Sequence, residues 1–553
     1  MSPSRKDRIG KGKNRRPPQV RPREWSPRGF LGTGGGRWRA VPTPPAWFST
    51  SVQVCGIYPF GAGAARPTAG APLGQDLLTG MWIAADPDML FRNGVISSPS
   101  MIMMGINGVG KSSTLQTMMA GMIARGITPA MFDPIKGEHA EFIRSMGGTV
   151  FSVGPQGDRL NLLDRGPLGD AAERIGGRVG AELLELAQQK AVDQVRLVTA
   201  ISRRSQLEDI EGAVLEAMVI TIMTTWENPR TRDLVRMFDN PSPEVLAIAG
   251  YEKAEGFHAR FQRLGESLRA MMTGELGTLL GGDKTVRVNA ANPGGFCFDT
   301  SAIPESKTQL LSAAMMCCWS LGMDAIDAHW EIAQHEAGLA KEAAARGESY
   351  TPKVTWGGYC TAFDEFWFPM RAVEGIVPML DRLSRTNRSK GTAEIKVTHS
   401  PKDLQSLPNP ADIPAAMGLI ERSGLLLLMA LTRRDVEVIS GVRHLTSEEI
   451  SMVAGFNAAK DWGEQEGGAD VFEARTPTIQ PPPEIAYDAS WRAVARNGRA
   501  WARERTSGLR AQTAPSGAGK ILLKVSGRVG IPVQMVKPAT QAALHVTDER
   551  YRS

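Results

Sequence analysis

The 553 residues contain no run that approaches ~20 uninterrupted apolar side chains, the length a helix needs to cross a bilayer. The best candidates, LLSAAMMCCWSLGM and GLLLLMAL, are short and read as a core helix and a core strand. The amino-terminal stretch has charge but no apolar h-region, so it is not a secretory signal. Cysteine is scarce, with five residues at 55, 297, 317, 318 and 360 and no CxxC spacing. That disfavours a disulfide framework or zinc site and favours buried thiols in a reducing compartment. HWEIAQH, from His329 to His335, lacks the spacing of a helical HExxH zinc site and reads as surface. No internal repeat is present. These absences point to a cytoplasmic protein whose membrane association, where it has any, is peripheral, on the inner face of the cell membrane.

Acidic residues are nearly missing from one region. Residues 1–40 hold twelve Lys/Arg against two Asp/Glu, a net of +10, which leaves −4 on the rest of a chain whose total is +6. The basic, Pro/Gly-rich arm (KGKNRRPPQVRPR) has the composition of a disordered segment. Two readings stand: contact with DNA or an anionic membrane surface, or a solvated tail that aids solubility. A second basic stretch, ASWRAVARNGRAWARERTSGLR, puts Trp491, Val494, Gly498 and Trp501 on one helical stripe and Arg492, Arg496, Arg499 and Arg503 on another, either to lie on anionic membrane or DNA or to cap the core with the arginines in water.

What is present is an alternation of strand and helix signals. MIMMG is an apolar run of strand length, and KSSTLQTMMAGMIARG has helical spacing closed by Gly126. PAMFDP, GEHAEFIRSMGG and TVFSVG follow as strand, helix and strand. Short links between such elements imply a parallel sheet with right-handed crossovers, an α/β fold. From 168 to 275 the pattern is helical throughout. Strand signals return in GGFCFDTS, YCTAFDE, EIKVTHS and LLLLMAL, with a long helix from about 306 to 347 between the first two. The expected organisation is a basic arm over 1–50, a first part of the core domain over 51–167 and an all-helical insertion over 168–275. A second part of the core over 276–463 follows, then a linker with a basic amphipathic helix over 464–518 and a closing C-terminal β-hairpin over 519–553.

One motif carries chemistry on its own. Gly105-Ile106-Asn107-Gly108-Val109-Gly110-Lys111-Ser112 matches GxxxxGK[ST], follows a strand and opens a helix. The pattern arises by chance roughly 0.03 times in a chain this long. Glycines remove Cβ atoms so that loop N–H groups turn inward as an anion nest, and the helix adds its N-terminal dipole. Lys111 is placed to reach the β- and γ-phosphates and Ser112 to ligate Mg²⁺, with Ser113 completing the phosphate-binding run. Hydrolysis needs a second, acidic site. In TAFDEFW, Asp364 is the candidate for the magnesium side and Glu365 for polarising water.

IYPFGAG, this loop, FDPIKGEHAEFIRSMGGTVFSVGP, RLNLLD, FDTSAI, FDEFW, RLSRTNRSKGT and THSPKDL occur in that order. In that order they resemble the motor domain of the conjugation and type IV secretion ATPases of the HerA–FtsK superfamily, over roughly 52–460 and again 519–552. The resemblance implies a RecA-like P-loop NTPase with a central, mostly parallel sheet, a hexameric ring with ATP and Mg²⁺ at subunit interfaces, and secretion or conjugation channel components as partners. Lys111, Ser112, Asp364 and Glu365 carry over directly. Asp133, Lys136 and Glu138 fall on the family's D-P-(x)-K-G-E block, beside the nucleotide. Arg388 matches an arginine-bearing segment that reaches a neighbour's nucleotide, and Arg385 competes for that role. His399 departs from the pattern by standing where the family has a glutamine that senses the γ-phosphate. The family's large N-terminal domain is a second departure, since only about fifty residues precede the first matching strand. The resemblance implies an ATPase motor powering conjugative transfer or type IV secretion. A DNA-translocating coupling protein and a nucleotide-binding scaffold with weak turnover are the alternatives.

Overall fold

In the computed structural model the chain divides into two units, Met1–Gly61 and Ala62–Ser553. The structure describes residues 66–371, 390–456 and 519–536, and the backbone of four short strands elsewhere. In the first unit, Trp25–Ser26 pairs antiparallel with Gly29–Phe30. The rest of the basic arm, the IYPFGAG stretch, Arg385, Arg388 and most of 464–518 lie outside the described residues. Within that last stretch Ile485–Tyr487 pairs antiparallel with Ala493–Ala495. Three residues of the predicted arginine-striped helix are therefore strand, because strand pairing overrides a weak helical preference.

The second unit is built on an eleven-stranded sheet. In chain order its strands are β1 (Pro72–Asp76), β2 (Trp82–Ala84), β3 (Ser100–Met104), β4 (Thr128–Asp133), β5 (Thr149–Ser152) and β6 (Phe296–Asp299). They continue with β7 (Tyr359–Phe363), β8 (Ala393–Thr398), β9 (Leu425–Leu428), β10 (Lys520–Val525) and β11 (Ile531–Met535). Across the sheet the order is β2-β1-β11-β10-β9-β3-β8-β7-β4-β6-β5. The strands from β9 to β5 pair in parallel, and those from β9 back to β2 pair antiparallel.

Sequence composition explains the buried centre. A parallel strand covered on both faces needs apolar residues at every position rather than at alternate ones. Met101 to Met104 on β3 and Leu425 to Leu428 on β9 meet that need and are fully buried. Helix α1 (Lys111–Ile123) packs against β1 and β4, and its Met118, Met119 and Met122, unbranched side chains that fill irregular gaps, are fully buried. An aromatic row crosses the neighbouring strands: Phe132 of β4 stacks on Phe363 of β7 at 4.8 Å, and Trp319 meets Phe363 edge-on at 4.8 Å.

Helices α2 (Gly166–Ile175), α3 (Gly177–Arg203) and α4 (Asp209–Thr225) begin a helical region that runs to Leu280. A capping box of Glu208 and Glu211 starts α4, and Glu211 also bonds Arg203 of α3 at 2.8 Å in a buried pair. Helix α5 (Thr308–Ala345) is the one helix among the described residues long and apolar enough to span a membrane; its apolar part is packed within the fold. Cys317 and Cys318 lie on it, and burial pushes the Cys317 thiol up to about 12. The expectation that His329 lies on the surface is corrected: it is on the core side of α5, with Nδ1 2.6 Å from the Tyr359 hydroxyl.

The closing hairpin, β10 and β11, is inserted beside β9. It is tied down by Lys524 Nζ, 2.8 and 2.9 Å from the carboxylate of Glu449 on α6 (Ser447–Gly455). Both groups are buried, and each supplies the counter-charge without which the other would be costly to bury.

Candidate nucleotide-binding site

The loop between β3 and α1 sits at the carboxyl ends of the parallel strands, where open α/β sheets bind ligands. Gly108 and Gly110 have φ of +82° and +95°, a region that strains any side-chain-bearing residue. A Cβ at Gly105 would fall 2.7 Å from Met429 Cβ, so the loop is held tight against the end of β9. Ile106 N donates to Ala430 O at 3.0 Å and reinforces that contact. Lys111 is folded back into the loop. Its Nζ donates to Gly105 O (2.8 Å) and Ile106 O (3.2 Å) and lies 3.0 Å from His399 Nδ1. Burial lowers the Lys111 pKa, against the opposing pull of the Glu365 and Asp364 carboxylates.

The acidic pair follows β7. Asp364 N donates to Phe132 O at 3.1 Å, which keeps the strand end in register with β4. Glu365 adopts φ +46°, an uncommon value for a residue with a side chain. The turn directs its carboxylate to two donors. Oε1 lies 3.0 Å from His399 Nε2, and Oε2 accepts the Trp367 indole N–H at 2.7 Å. Arg371 stacks its guanidinium 4.2 Å from the Trp367 ring and bonds Asp403 at 3.4 Å. Asp403 in turn accepts from Ser400 N, one residue past His399.

Hydrogen-bond logic sets the His399 tautomer. An ammonium donates only, so Nδ1 facing Lys111 must accept, and the ring proton sits on Nε2. Nε2–H then donates to Glu365. Lys111, His399, Glu365 and Trp367 form one chain that joins the loop after β3 to the segments after β7 and β8.

Beneath this chain lies a second network. Asp133, at the end of β4, accepts from Gly137 N (3.1 Å) and His139 N (2.6 Å) and so holds the DPIKGE segment as a closed loop. His139 is fully buried, with Nε2 3.2 Å from Asp364 Oδ2 and Nδ1 3.3 Å from the Gln116 amide nitrogen. Burial alone would lower the His139 pKa, but Asp133 and the bond to Asp364 outweigh it and raise it to about 9. Asp133 is pushed up to about 6 by burial, despite His139. Asp364 moves down, because the His139 bond and charge exceed the upward push of burial.

The structure thus brings together Gly105, Ile106, Val109, Lys111, Asp364, Glu365 and His399. Asn107, Gly108 and Ser112 lie on the open side of the loop, and Ser113 is buried in the first turn of α1. Glu138 is half-buried, and its carbonyl accepts from Gln116. Arg388 falls outside the described residues. Sequence reasoning missed His139, Gln116 and Trp367. The signal for His139 was its place directly after the DPIKGE block. For Trp367 it was an aromatic two residues past the candidate base.

Among the described residues no cluster of three or more His, Cys, Asp or Glu could hold a metal ion. Mg²⁺ needs few protein ligands where phosphate oxygens and water supply the rest. The half-exposed Ser112 hydroxyl and the Asp364 carboxylate, each of whose oxygens has one donor already, fit a Mg²⁺ that arrives with a nucleotide.

No protein-family model and no curated protein matches the sequence. Among solved structures, VirB4 of Thermoanaerobacter pseudethanolicus superposes with a TM-score of 0.52 at 16% identity, covering 87% of this chain and 100% of that one. Weaker likenesses reach the plasmid coupling protein TrwB. Its complex with the ATP analogue ADPNP gives a TM-score of 0.39 at 14% identity, covering 68% of this chain and 83% of that one. Its complex with ADP and Mg²⁺ gives 0.36 at 12% identity, covering 68% and 76%. With its P-loop, its mostly parallel sheet and this likeness, the chain has a RecA-like P-loop NTPase fold, the fold of VirB4.

Proposed function

We propose that the chain is an ATPase motor, working in a ring, that powers conjugative DNA transfer or type IV secretion. The observation that carries this reading is the hydrogen-bonded chain from Lys111 through His399 to Glu365, because it joins phosphate binding to a candidate base across three strands. In the proposed cycle Lys111 leaves the Gly105 and Ile106 carbonyls and His399 for the β- and γ-phosphate oxygens. Glu365 takes the proton of a water as its oxygen bonds to the γ-phosphorus and the β–γ bridge breaks, releasing ADP and phosphate. His399 Nδ1, freed of Lys111, is then an acceptor at the γ-phosphate end, while Nε2–H holds Glu365. Magnesium, carried by Ser112 and Asp364, supplies neutralisation of phosphate charge. Glu138, whose charge acts on Lys111, is the further residue proposed beside the nucleotide.

The test is steady-state phosphate release and Mg–ATP binding by wild type, Lys111→Ala and Glu365→Gln. Lys111→Ala should lose binding. Glu365→Gln should bind but turn over at least about 100-fold more slowly, the scale of losing a positioned base. Stimulation by single- or double-stranded DNA would move the reading to a DNA-translocating coupling protein. The scaffold alternative draws on one observation, that both Glu365 oxygens already have donors. It wins if wild type binds ATP and is no faster than Glu365→Gln.

A further inference from the structure

The P-loop grips phosphates and leaves the nucleoside end undefined, but the strand order fixes its direction. β8 and β7, which lead to His399 and to the acidic pair, lie on one side of β3. β9, β10 and β11 lie on the other. A triphosphate laid along the loop with its terminal phosphate at Glu365 therefore sends its nucleoside toward β9–β11.

There the two ends of the C-terminal hairpin meet the loop. Gly519 N donates to Val109 O at 3.0 Å, and Met535 N donates to Gly519 O at 2.8 Å. An anion nest turns its N–H groups inward, so its carbonyls point out and need donors; Gly519 supplies one from 410 residues downstream. The Thr114 hydroxyl, three residues after Lys111, lies 2.9 Å from both Gly110 O and Met535 Sδ. Met535 is half-buried and the next residue, Val536, is 41% exposed. Lys520 and Gln534 pair across the hairpin just below. The result is a polarizable thioether beside the first turn of α1, on the side away from the carboxylates.

We infer that Met535, with the Gly519 turn, forms the nucleoside subsite, where the thioether packs on the face of a flat heteroaromatic base. This rests on the nucleotide reading of the P-loop, and the experiment separates the two. The full chain is titrated with Mg–ATP and with Mg–tripolyphosphate, as wild type, Met535→Ala and Met535→Leu, with thermal melts as a check of folding. Met535→Ala should weaken ATP binding about tenfold and leave tripolyphosphate within about twofold, a selective loss of packing against the base. Met535→Leu, which keeps an apolar side chain, should restore ATP binding. Equal losses for both ligands would mean that Met535 acts through Thr114 on the loop itself, and would overturn the subsite. No change for either ligand would also overturn it. Wild-type protein that binds neither ligand would overturn the nucleotide reading and the subsite together.

Discussion

The proposed base must be held at a fixed angle to take a proton from water, and at Glu365 His399 Nε2 and the Trp367 indole hold the carboxylate. His399 is shared with Lys111, and in the proposed cycle it is released when the lysine moves to phosphate. Trp367 has no such second partner, and its indole N–H at 2.7 Å is the constant restraint. Trp367→Phe keeps a ring for Arg371 to stack on but removes the N–H. A hydrogen bond to a charged group contributes about 1.5–3 kcal/mol, so kcat should fall about 10- to 100-fold while ATP affinity holds. Single-turnover rates beside equilibrium binding would check this, and an equal fall in both would show that Trp367 supports only the local fold. Lys111, Ser112, Asp364 and Glu365 stood out in the sequence as candidates because phosphate and magnesium chemistry restricts residue type and spacing. The sequence did not reveal His139, whose role comes from 225 residues of separation being closed by strand register between β4 and β7.

At the scale of elements, period and apolar run length located β3, β4, β5, β6, β7, β8 and β9 and the helix that became α5. The closing hairpin was legible from two apolar runs about a glycine turn. Its place between β9 and β1 was not, because an antiparallel strand inserted beside a parallel one leaves no local trace. How the helical region attaches was equally illegible, since it depends on side chains meeting across long separations. Glu336 of α5 is one such point. It accepts from Lys353 N (2.9 Å), the Tyr350 hydroxyl (2.7 Å) and Arg174 of α2 (2.8 Å). The Lys353 and Tyr350 bonds, with Arg174 adding to them, bring its carboxyl down from 4.5 to about 2. A carboxyl whose folded pKa is depressed contributes stability above its unfolded value, and loses it as pH falls through the folded one. Glu336→Gln should therefore be less stable than wild type near neutral pH, and the gap should close as pH falls from 4.5 toward 2. Urea melts of both proteins across that range would check it; a gap that stays constant with pH would mean that the ionised form has no special partners.

For the whole molecule, the question is what meets the negative charge that develops at the γ-phosphate. Within the described residues Lys111 and the nearby Lys136 are cations beside the loop, and Arg371 is committed to Trp367 and Asp403. A ring answers this by having each subunit lend an arginine to its neighbour's site, and Arg388 is the candidate by resemblance. Such a ring would be heterologous, each subunit's P-loop and Glu365 meeting the arginine of the next. Two variants that are each inactive should then rescue one another. Arg388→Ala subunits keep a sound Glu365 site but lend nothing, whereas Glu365→Gln subunits lend their arginine but have no base. Both should bind ATP and be nearly inert alone. Mixed in equal amounts before assembly, about a quarter of interfaces in a random ring join a Glu365→Gln donor to an Arg388→Ala acceptor, so activity should rise to about a quarter of wild type. Arg385→Ala in place of Arg388→Ala tests the competing assignment by the same recovery. A mixture no more active than its components, formed under conditions where wild type assembles, would mean that the arginine serves its own subunit and that hydrolysis does not depend on the ring.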